Sequence, residues 1–409
     1  MNKNIKLAVA GAVLAMSASA ANAGIIIPAG DWTIDINGNV NAYANYTHAK
    51  DSNTIEGGIA KKKTASDQNG DKYIGINTGL LPAWLGFTGT TRQNDLDVTW
   101  SMSMQPNVSD NGVTGDSKTP LFRTAYFSFG DKSWGTVKLG KDIGVFASDA
   151  ILNDMTLLGV GSNAGLSGAS TTLGGIGTGY LYAAWKGQVA YTTPNFNGFQ
   201  ATVAITNPNQ HANASAVATR QQDRYGLEGK ASYSFATDTF SGKVWASGLS
   251  QSVSVTGSAE YTATAGDIGA NINAGSFGLT GYWYQGSGIG TTVLGAGAVS
   301  GGTTGVTSQT ANANGTSKRD SDGGYVQLTY ALPIKTKLGV AYGESNLDLA
   351  SGESASAVVK SNQRWTVGAY HPLTKHLNLV AEFNQIESKS HNAQTNESQT
   401  YSLGGILFF

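Results

Sequence analysis

Chemistry-bearing side chains are few in this chain and thinly spread. Lys and Arg number 26 and Asp and Glu 27 in 409 residues. His48, His211, His371, His376 and His391 are scattered, and the closest pair sits in a turn region with poor spacing for a metal. No metal site is expected. Cysteine is absent, which removes thiolate ligands and nucleophiles. "GSGIG" (286–290) is followed by no Lys-Ser/Thr and carries no helix signal, so it is no phosphate loop. No Ser, His and acid stand in a pattern that suggests an activated nucleophile. "KKK" (61–63) reads as a solvated cluster in a long loop. What is left is fixed charge. Lys138, Lys141 and Lys186 flank a segment whose acids, Asp142, Asp149 and Asp154, all come early, and Met155 to Trp185 carries no charge. Charges of this kind act on ions and solutes only when a scaffold aims them into water.

The scaffold has a period of two. In "DWTIDINGNVNAYANYT", Trp32, Ile34, Ile36, Val40, Ala42, Ala44 and Tyr46 share one face; Asp35, Asn37, Asn39, Asn41, Tyr43 and Asn45 share the other. That is a strand with one apolar and one wet side. "LDVTWSMSMQ", "RYGLEGKASYSF", "RWTVGAY" and "LNLVAEFNQ" repeat it, near the length of a tilted membrane-spanning strand, about 9–11 residues. Strands are expected near 31–46, 80–91, 96–105, 121–130, 135–142, 187–194, 199–207, 223–235, 242–255, 257–268, 276–287, 323–332, 337–347, 363–371, 377–388 and 398–409. The connections alternate. Tight turns fall at 92–95, 131–134, 195–198, 333–336 and 372–376. Long Gly/Ser/Thr/Asn-rich stretches fall at 47–70, 107–120, 143–185, 208–222, 289–320, 348–361 and 389–397. The reading is all-β: a transmembrane antiparallel barrel of about sixteen strands, with eighteen still open around 240–275. Short turns lie on the periplasmic side and long loops outside.

Composition agrees. Charged residues are 13 % of the chain, about half the usual share of roughly 25 %. Glycine is frequent, at 54 residues, and aromatics are plentiful. After the first two dozen residues no apolar run approaches the roughly 18 residues of a membrane helix. In lipid a sheet must close, because open edges leave backbone groups unpaired. Closure supplies the stability that disulfides would otherwise give an exported chain. A barrel of about sixteen strands is too wide for side chains to fill and keeps an aqueous lumen.

Both ends carry signals. Lys3 and Lys6, the apolar Leu7–Met16 and the small "SASAANA" form a secretory leader, with cleavage expected between Ala23 and Gly24. The domains are thus 1–23, the leader, and 24–409, the barrel. Losing Lys3 and Lys6 takes the formal charge from −1 to −3, which is no nucleic-acid binder's balance. At the other end, "YSLGGILFF" places Tyr401, Leu403, Leu407 and Phe409 on one face, read as the lipid side of a last strand that closes on the first.

"FGDKSWGTVKLGKDIGVFASDAILNDM" (129–155) resembles the Gram-negative general porin family, in which a "G-x-V-x-x-G-R" strand precedes a third loop folded into the barrel. Here Lys141 stands at the Arg position. "WKGQVAYTTPNFNGFQATVAI" is similar to that family's next hairpin. The resemblance runs over 24–409 and implies a trimeric outer-membrane pore for passive diffusion of small hydrophilic solutes. It implies no cofactor. It also implies partners in outer-membrane lipid, lipopolysaccharide and the barrel-assembly machinery, the last reached through the C-terminal strand. "KKK" would face lipopolysaccharide phosphates. By the family pattern a basic wall faces acids of the inward loop. Lys138 shares the inward face with Thr136, and Lys186 that of Gln188. Lys141 has the opposite parity but stands where the chain turns inward. These three, with Arg123, Arg224 and Arg364, are the candidate basic wall. Asp142, Asp149 and Asp154 are the candidate loop acids. The family's "P-E-F-G-G" loop tip is replaced by Leu157-Leu158-Gly159. Its carboxylate is gone, so the wall is less compensated and a weak anion preference is expected. The uncharged segment 159–185 is expected inside the lumen, because "IGVFASDAILNDMTLLG" is too apolar for water.

Three rivals remain at this level. A substrate-specific channel for an oxyanion or small organic solute would saturate. A sugar track would show a row of lumen aromatics, of which Tyr43 alone is evident. A barrel enzyme would hydrolyse lipid, and a structural or adhesive barrel would not conduct.

Overall fold

A computed structural model describes residues 24–64, 70–106, 108, 121–166, 171–208, 223–254, 260–292, 299–300 and 317–409. The expected leader 1–23, with Ala23, and most of the loops at 107–120, 208–222 and 289–320 lie outside the described residues.

The strands are β1 Ile25–Ala29, β2 Trp32–Ala49, β3 Lys72–Asn77, β4 Trp84–Gln93, β5 Leu96–Gln105, β6 Leu121–Asp131 and β7 Gly135–Ile143. Then come β8 Ser162–Leu166, β9 Thr172–Gly174, β10 Trp185–Thr192, β11 Phe199–Thr206, β12 Gly226–Ala236, β13 Phe240–Ser254 and β14 Glu260–Ala274. The last are β15 Phe277–Ser287, β16 Val299–Ser300, β17 Asp320–Ala331, β18 Lys337–Leu347, β19 Val359–Pro372, β20 Leu377–Ser390 and β21 Thr395–Phe408.

Each long strand pairs antiparallel with its sequence neighbour, and β2 pairs with β21 from Asn39↔Phe408 to Ala49↔Ser398. The sheet therefore closes into a sixteen-stave barrel. The sheet contains eighteen segments because β3 and β4 are two halves of one stave on β2, and β1 pairs only with the start of β2. The ambiguity between sixteen and eighteen is thus resolved by a broken stave and a short added strand. Among the described residues of 240–275 there is no extra hairpin, since β13 and β14 pair without a break from Phe240↔Ala274 to Ser254↔Glu260.

Parity behaves as a closed barrel requires. Asn39, Asn41, Tyr43, Asn45 and Thr47 are buried on the lumen side of β2, while Val40 and Tyr46 are exposed outside. Two aromatic girdles frame the outer face, as the interfaces of a bilayer favour. Toward the loop end, Tyr401 meets Tyr46 at 6.5 Å and Phe383 at 5.1 Å, and Tyr342 meets Trp365 at 4.7 Å. Toward the turn end, Phe277 meets Tyr330 at 4.7 Å and Phe235 meets Phe240 at 5.9 Å. Gln93↔Leu96 closes the β4–β5 hairpin, with Asn94 and Asp95 at φ 49° and 61°. That is the two-residue turn with positive φ that Asn and Asp tolerate and strand twist favours.

One stretch breaks the wet-inside rule. On β13, Trp245, Leu249 and Val253 face the lumen and are buried. Their cover is the loop between β7 and β10, which supplies the apolar partner that water would not.

Candidate channel constriction

The constriction is built by the loop 144–184. It leaves the end of β7, and Gly144 N bonds Ala184 O at 2.9 Å to close its base. It contains the short helix Ser148–Leu152, a single turn Met155–Leu158, and β8 and β9. Val160, Leu173, Tyr180 and Leu181 are fully buried. Leu173, Tyr180 and Leu181 pack with Phe146, Ala150 and Ile176 against Trp245, Leu249, Tyr282, Tyr284 and Tyr325 of the wall, while Val160 packs with Met155 against Tyr43, Tyr370 and Val380. The described residues of the uncharged segment, 159–166 and 171–185, therefore lie inside the barrel, as the apolar stretch leading into them predicts. Burial of apolar surface drives it there, and glycines let backbone approach backbone. At Gly161 (φ 57°) a Cβ would lie 2.4 Å from Gly174 Cα.

Wall side chains hold the loop by its backbone. Glu228 Oε2 accepts from Val145 N and Phe146 N at 2.7 and 2.9 Å. Tyr325 OH donates to Ala150 O at 2.8 Å. Gln327 donates to Asn153 O and accepts from Met155 N, at 2.7 and 2.8 Å. Tyr43 OH donates to Leu158 O at 2.6 Å. Glu382 Oε2 accepts from Val160 N and Gly161 N at 3.0 and 2.7 Å, while Tyr370 OH donates to its other oxygen at 2.7 Å. Ser345 accepts from Gly179 N at 2.9 Å. The loop thus crosses the lumen from β12 to β20 and β2. A second segment joins it: Ile59, buried, donates its N–H to Ser388 at 2.9 Å.

These anchors stand on β12, β17, β18, β20 and β2. Several inward side chains of β4 to β7 keep contact with water: Thr88, Ser101, Tyr126, Ser128 and Lys138 are only partly buried. The open path therefore runs between the loop and this hydroxyl-rich wall.

The candidate charges separate into three groups. Lys138 faces the path; its amine binds Asp142 and lies 5.2 Å over the Tyr126 ring. Arg123 faces it too. Two residues, Arg123 and Thr124, stand opposite the single Ser103 at a bulge, and Thr124 Oγ1 bonds Ser103 Oγ at 2.7 Å. Such a bulge re-aims a side chain, and the Arg123 guanidinium meets Tyr182 OH at 3.3 Å and the Trp185 ring at 5.9 Å. Among the described residues no carboxylate lies within ion-pair distance of it.

The second group is buried under the loop. Lys186 pairs with Glu228 at 2.7 Å, with both side chains almost fully buried. Arg364 faces Asp154 at 3.7 Å, and Asp154 also accepts from Tyr180 OH at 2.8 Å, Gly175 N at 3.0 Å and Thr156 N at 2.9 Å. Asp149 is held by Lys230 at 2.8 Å and by Lys243. Burial pushes the Asp149 carboxyl up, but the two ammonium groups outweigh it and hold it below the ordinary carboxylate range. Burial pushes the Tyr182 hydroxyl up, and Arg123 only partly offsets this.

The third group leaves the lumen. Lys141 keeps the outward parity of Leu139, is exposed, and donates to Phe122 O at 2.9 Å. The expectation that the chain turns it inward is incorrect, because the ladder to β6 and β10 continues through Lys141 and the inward turn begins at Gly144. Arg224 stands just ahead of β12 at the exposed rim, bonded to Asp223 at 3.2 Å and Glu260 at 2.9 Å.

Glu228, Glu382, Lys230 and Lys243 were legible as inward by parity, but their work on the loop was not. The lumen also holds the row of aromatics that sequence reading missed: Trp245, Tyr282, Tyr284 and Tyr325 beside Tyr43 and Tyr370. The signal was present in "GYWYQG", where Tyr282 and Tyr284 share the parity of Thr280. They are buried beneath the loop and do not line the open path.

The model of a Gram-negative porin matches residues 8–391. This chain belongs to the Gram-negative porin family. The porin barrel aligns with three solved outer-membrane proteins at low identity. The channel DcaP of Acinetobacter baumannii is 16 % identical with a TM-score of 0.68, over 95 % of this chain and 100 % of that one. The anion-selective porin of Comamonas acidovorans is 14 % identical with a TM-score of 0.59, over 92 % and 100 %. OmpF of Salmonella typhi is 12 % identical with a TM-score of 0.58, over 94 % and 100 %. A search of curated protein sequences finds no match. The porin is an outer-membrane channel for passive diffusion. Its long loops accordingly face outward from the cell and its short turns face the periplasm.

Proposed function

We propose that the porin passes small hydrophilic solutes with a weak preference for anions. The observation that carries this is the position of Arg123. Of the three acids expected on the loop, Asp142 stands instead on the wall strand β7, whose ladder runs on to Ile143, and is engaged there by Lys138; the loop's own Asp149 is engaged by Lys230 and Lys243 and Asp154 by Arg364. Lys186 is cancelled by Glu228. Arg123 faces the path with no such carboxylate among the described residues, and Asp149 faces two ammonium groups. Fixed charge of one sign at a water-filled narrowing sets ion preference. The likeness to an anion-selective porin is in keeping with this reading. The reversal potential of single channels in a salt gradient tests it. A potential of the anion-selective sign is expected, and one of the cation-selective sign overturns the proposal.

The remaining roles follow from the same reading. The burial of the lumen tyrosines favours a general path over a saturable sugar track, so conductance falls without saturation as solute is added. The protein acts as a channel and not as a lipid hydrolase, which a lipid-hydrolysis assay checks. It assembles as a homotrimer. The outer face of β17–β21, β2 and β3 is concave, an apolar hollow of about 1140 Å³ lined by Ala44, Ala369 and Ala381 among others. Small residues there admit a neighbouring barrel closely, and native mass spectrometry gives the copy number. Lys62 and Lys63 meet lipopolysaccharide phosphates, while Lys61 is drawn over the Tyr73 ring at 5.7 Å.

A further inference from the structure

Residues 55–61, in the connection between β2 and β3, lie inside the mouth of the barrel along β19 to β21. Inward side chains of those three strands hold the backbone of this strap. Ile59 N donates to Asn362 Oδ1 of β19 at 3.1 Å and to Ser388 Oγ of β20 at 2.9 Å. Ala60 N donates to the same Ser388 at 2.9 Å, and Lys61 N to Ser398 Oγ of β21 at 3.1 Å. Asn362 Nδ2 returns a bond to Gly57 O at 3.1 Å. At the rim Glu56 forms a parallel bridge with Val358, and Ile55 is buried beside Leu347, Val358 and Val359.

The strap rests on the constriction loop. Ile59 is 2 % exposed and shares the apolar core of that loop. A Cβ built on Gly177 (φ 77°) would lie 2.3 Å from Ile59 Cδ1 and 2.9 Å from Thr292 Oγ1. Thr292, in the connection after β15, also accepts from Tyr182 N at 2.9 Å. Two extracellular connections therefore cover the outer half of the loop, residues 171–183, and Ile59 is the contact of one of them.

The fastenings of loop and strap differ in kind. The first half of the loop, residues 145–161, is tied to the wall by the buried carboxylates of Glu228 and Glu382 and by the Arg364–Asp154 pair. The strap is held by amides, hydroxyls and backbone. Among the described residues neither Glu56 nor Lys61 makes an ion pair. Hydrogen bonds between neutral groups contribute little net stability where water replaces them, and the mouth supplies that water. What resists lifting is the burial of Ile55 and Ile59.

We propose that this strap is a removable stop on the pore. Seated, Ile59 keeps the outer half of the constriction loop against the wall. Lifted, it frees that half to swing toward the mouth, and the pore widens while the carboxylate-tied half stays in place. Ile59 is thus a positioning residue for the constriction and is itself screened from solutes.

The test is single-channel recording on the full chain, which has no cysteine of its own. Glu56→Cys with Val358→Cys joins the strap to the rim, because bridge partners stand near the roughly 4.4–6.8 Å between Cα atoms that a disulfide accepts. The wild-type channel should visit a raised conductance level in brief steps. The oxidised pair should lose those steps, and a reductant should bring them back. Ile59→Asn, which places an amide in the apolar core, should make the raised level the usual one, while Ile59→Leu should record as wild type. The reversal potential should stay put throughout, because no charge is altered on the path. Oxidised and reduced records that are alike overturn the proposal, whether or not Ile59→Asn assembles. Should thiol labelling show that the bond has not formed, Ile59→Asn decides alone: a folded pore that keeps the wild-type level overturns the proposal.

Discussion

Arg364 and Asp154 face each other at 3.7 Å across the boundary between barrel wall and inward loop, with both side chains almost fully buried. Arg364 Nη1 also donates to Thr366 Oγ1 at 2.8 Å. The pair therefore works as a fastening, and neither charge is offered to passing ions. Removing one member of a buried pair strands the other and costs about 3–5 kcal/mol. Arg364→Ala should loosen the loop, so that single channels show larger and noisier conductance with little change in selectivity. Single-channel recording checks both, and unchanged conductance would put the loop's hold elsewhere.

Selectivity should respond to Arg123 and not to Lys141. Arg123 is aimed at the path by a bulge, whereas Lys141 is on the outer face. A unit charge about 8 Å from an ion in water is worth about 0.5 kcal/mol, roughly a two-fold change in permeability ratio. Arg123→Glu, a change of two charges, should move the reversal potential clearly toward cations. Lys141→Glu should leave it where it is.

Asp149 predicts a pH response whose sign is fixed. Its carboxyl is held below the ordinary range by Lys230 and Lys243, so the stabilisation it contributes is present above the unfolded value of about 3.9. It is lost only as pH falls through the lower, folded value. Conductance should therefore stay steady from neutral pH down past about 4 and become unstable only below that. Asp149→Asn leaves both ammonium groups uncompensated at every pH and should increase anion preference by roughly two-fold. Reversal potentials across a pH series separate the two effects.

Deleting Phe409 should harm assembly more than conduction. Its backbone exchanges two hydrogen bonds with Gly38 at the seam, and its ring fills the space where a Gly38 Cβ would lie 2.6 Å away. Heat-modifiable gel migration of membrane fractions should show a loss of folded protein. The pores that do form should conduct normally.

The barrel itself was readable because lipid and water impose opposite demands on alternate residues. "LDVTWSMSMQ" could be placed as 96–105 from its pattern alone, and β5 spans those residues. The broken stave at 78–83 was not readable, since β3 is too short to show a period. Nor was the inward face of β13, where Trp245 and Leu249 look like lipid-facing residues until the loop that covers them is in place. Parity was right at Lys141, and the expected inward turn misled, because the strand runs on past it to Ile143 and only the end of the ladder frees the chain to turn.

Alternation, the tight turns and the aromatic last strand are local properties, and the chain's own order of residues determined them. They settle a closed barrel, since a sheet in lipid has no other way to satisfy its backbone. Which charges meet water is a long-range matter. Lys138, Lys186 and Arg364 all carry the inward parity, yet only Lys138 lines the path, because the loop lies over the other two and Glu228 and Asp154 neutralise them there. Only the tertiary structure decided that, because a loop's burial depends on the distant strands against which it packs.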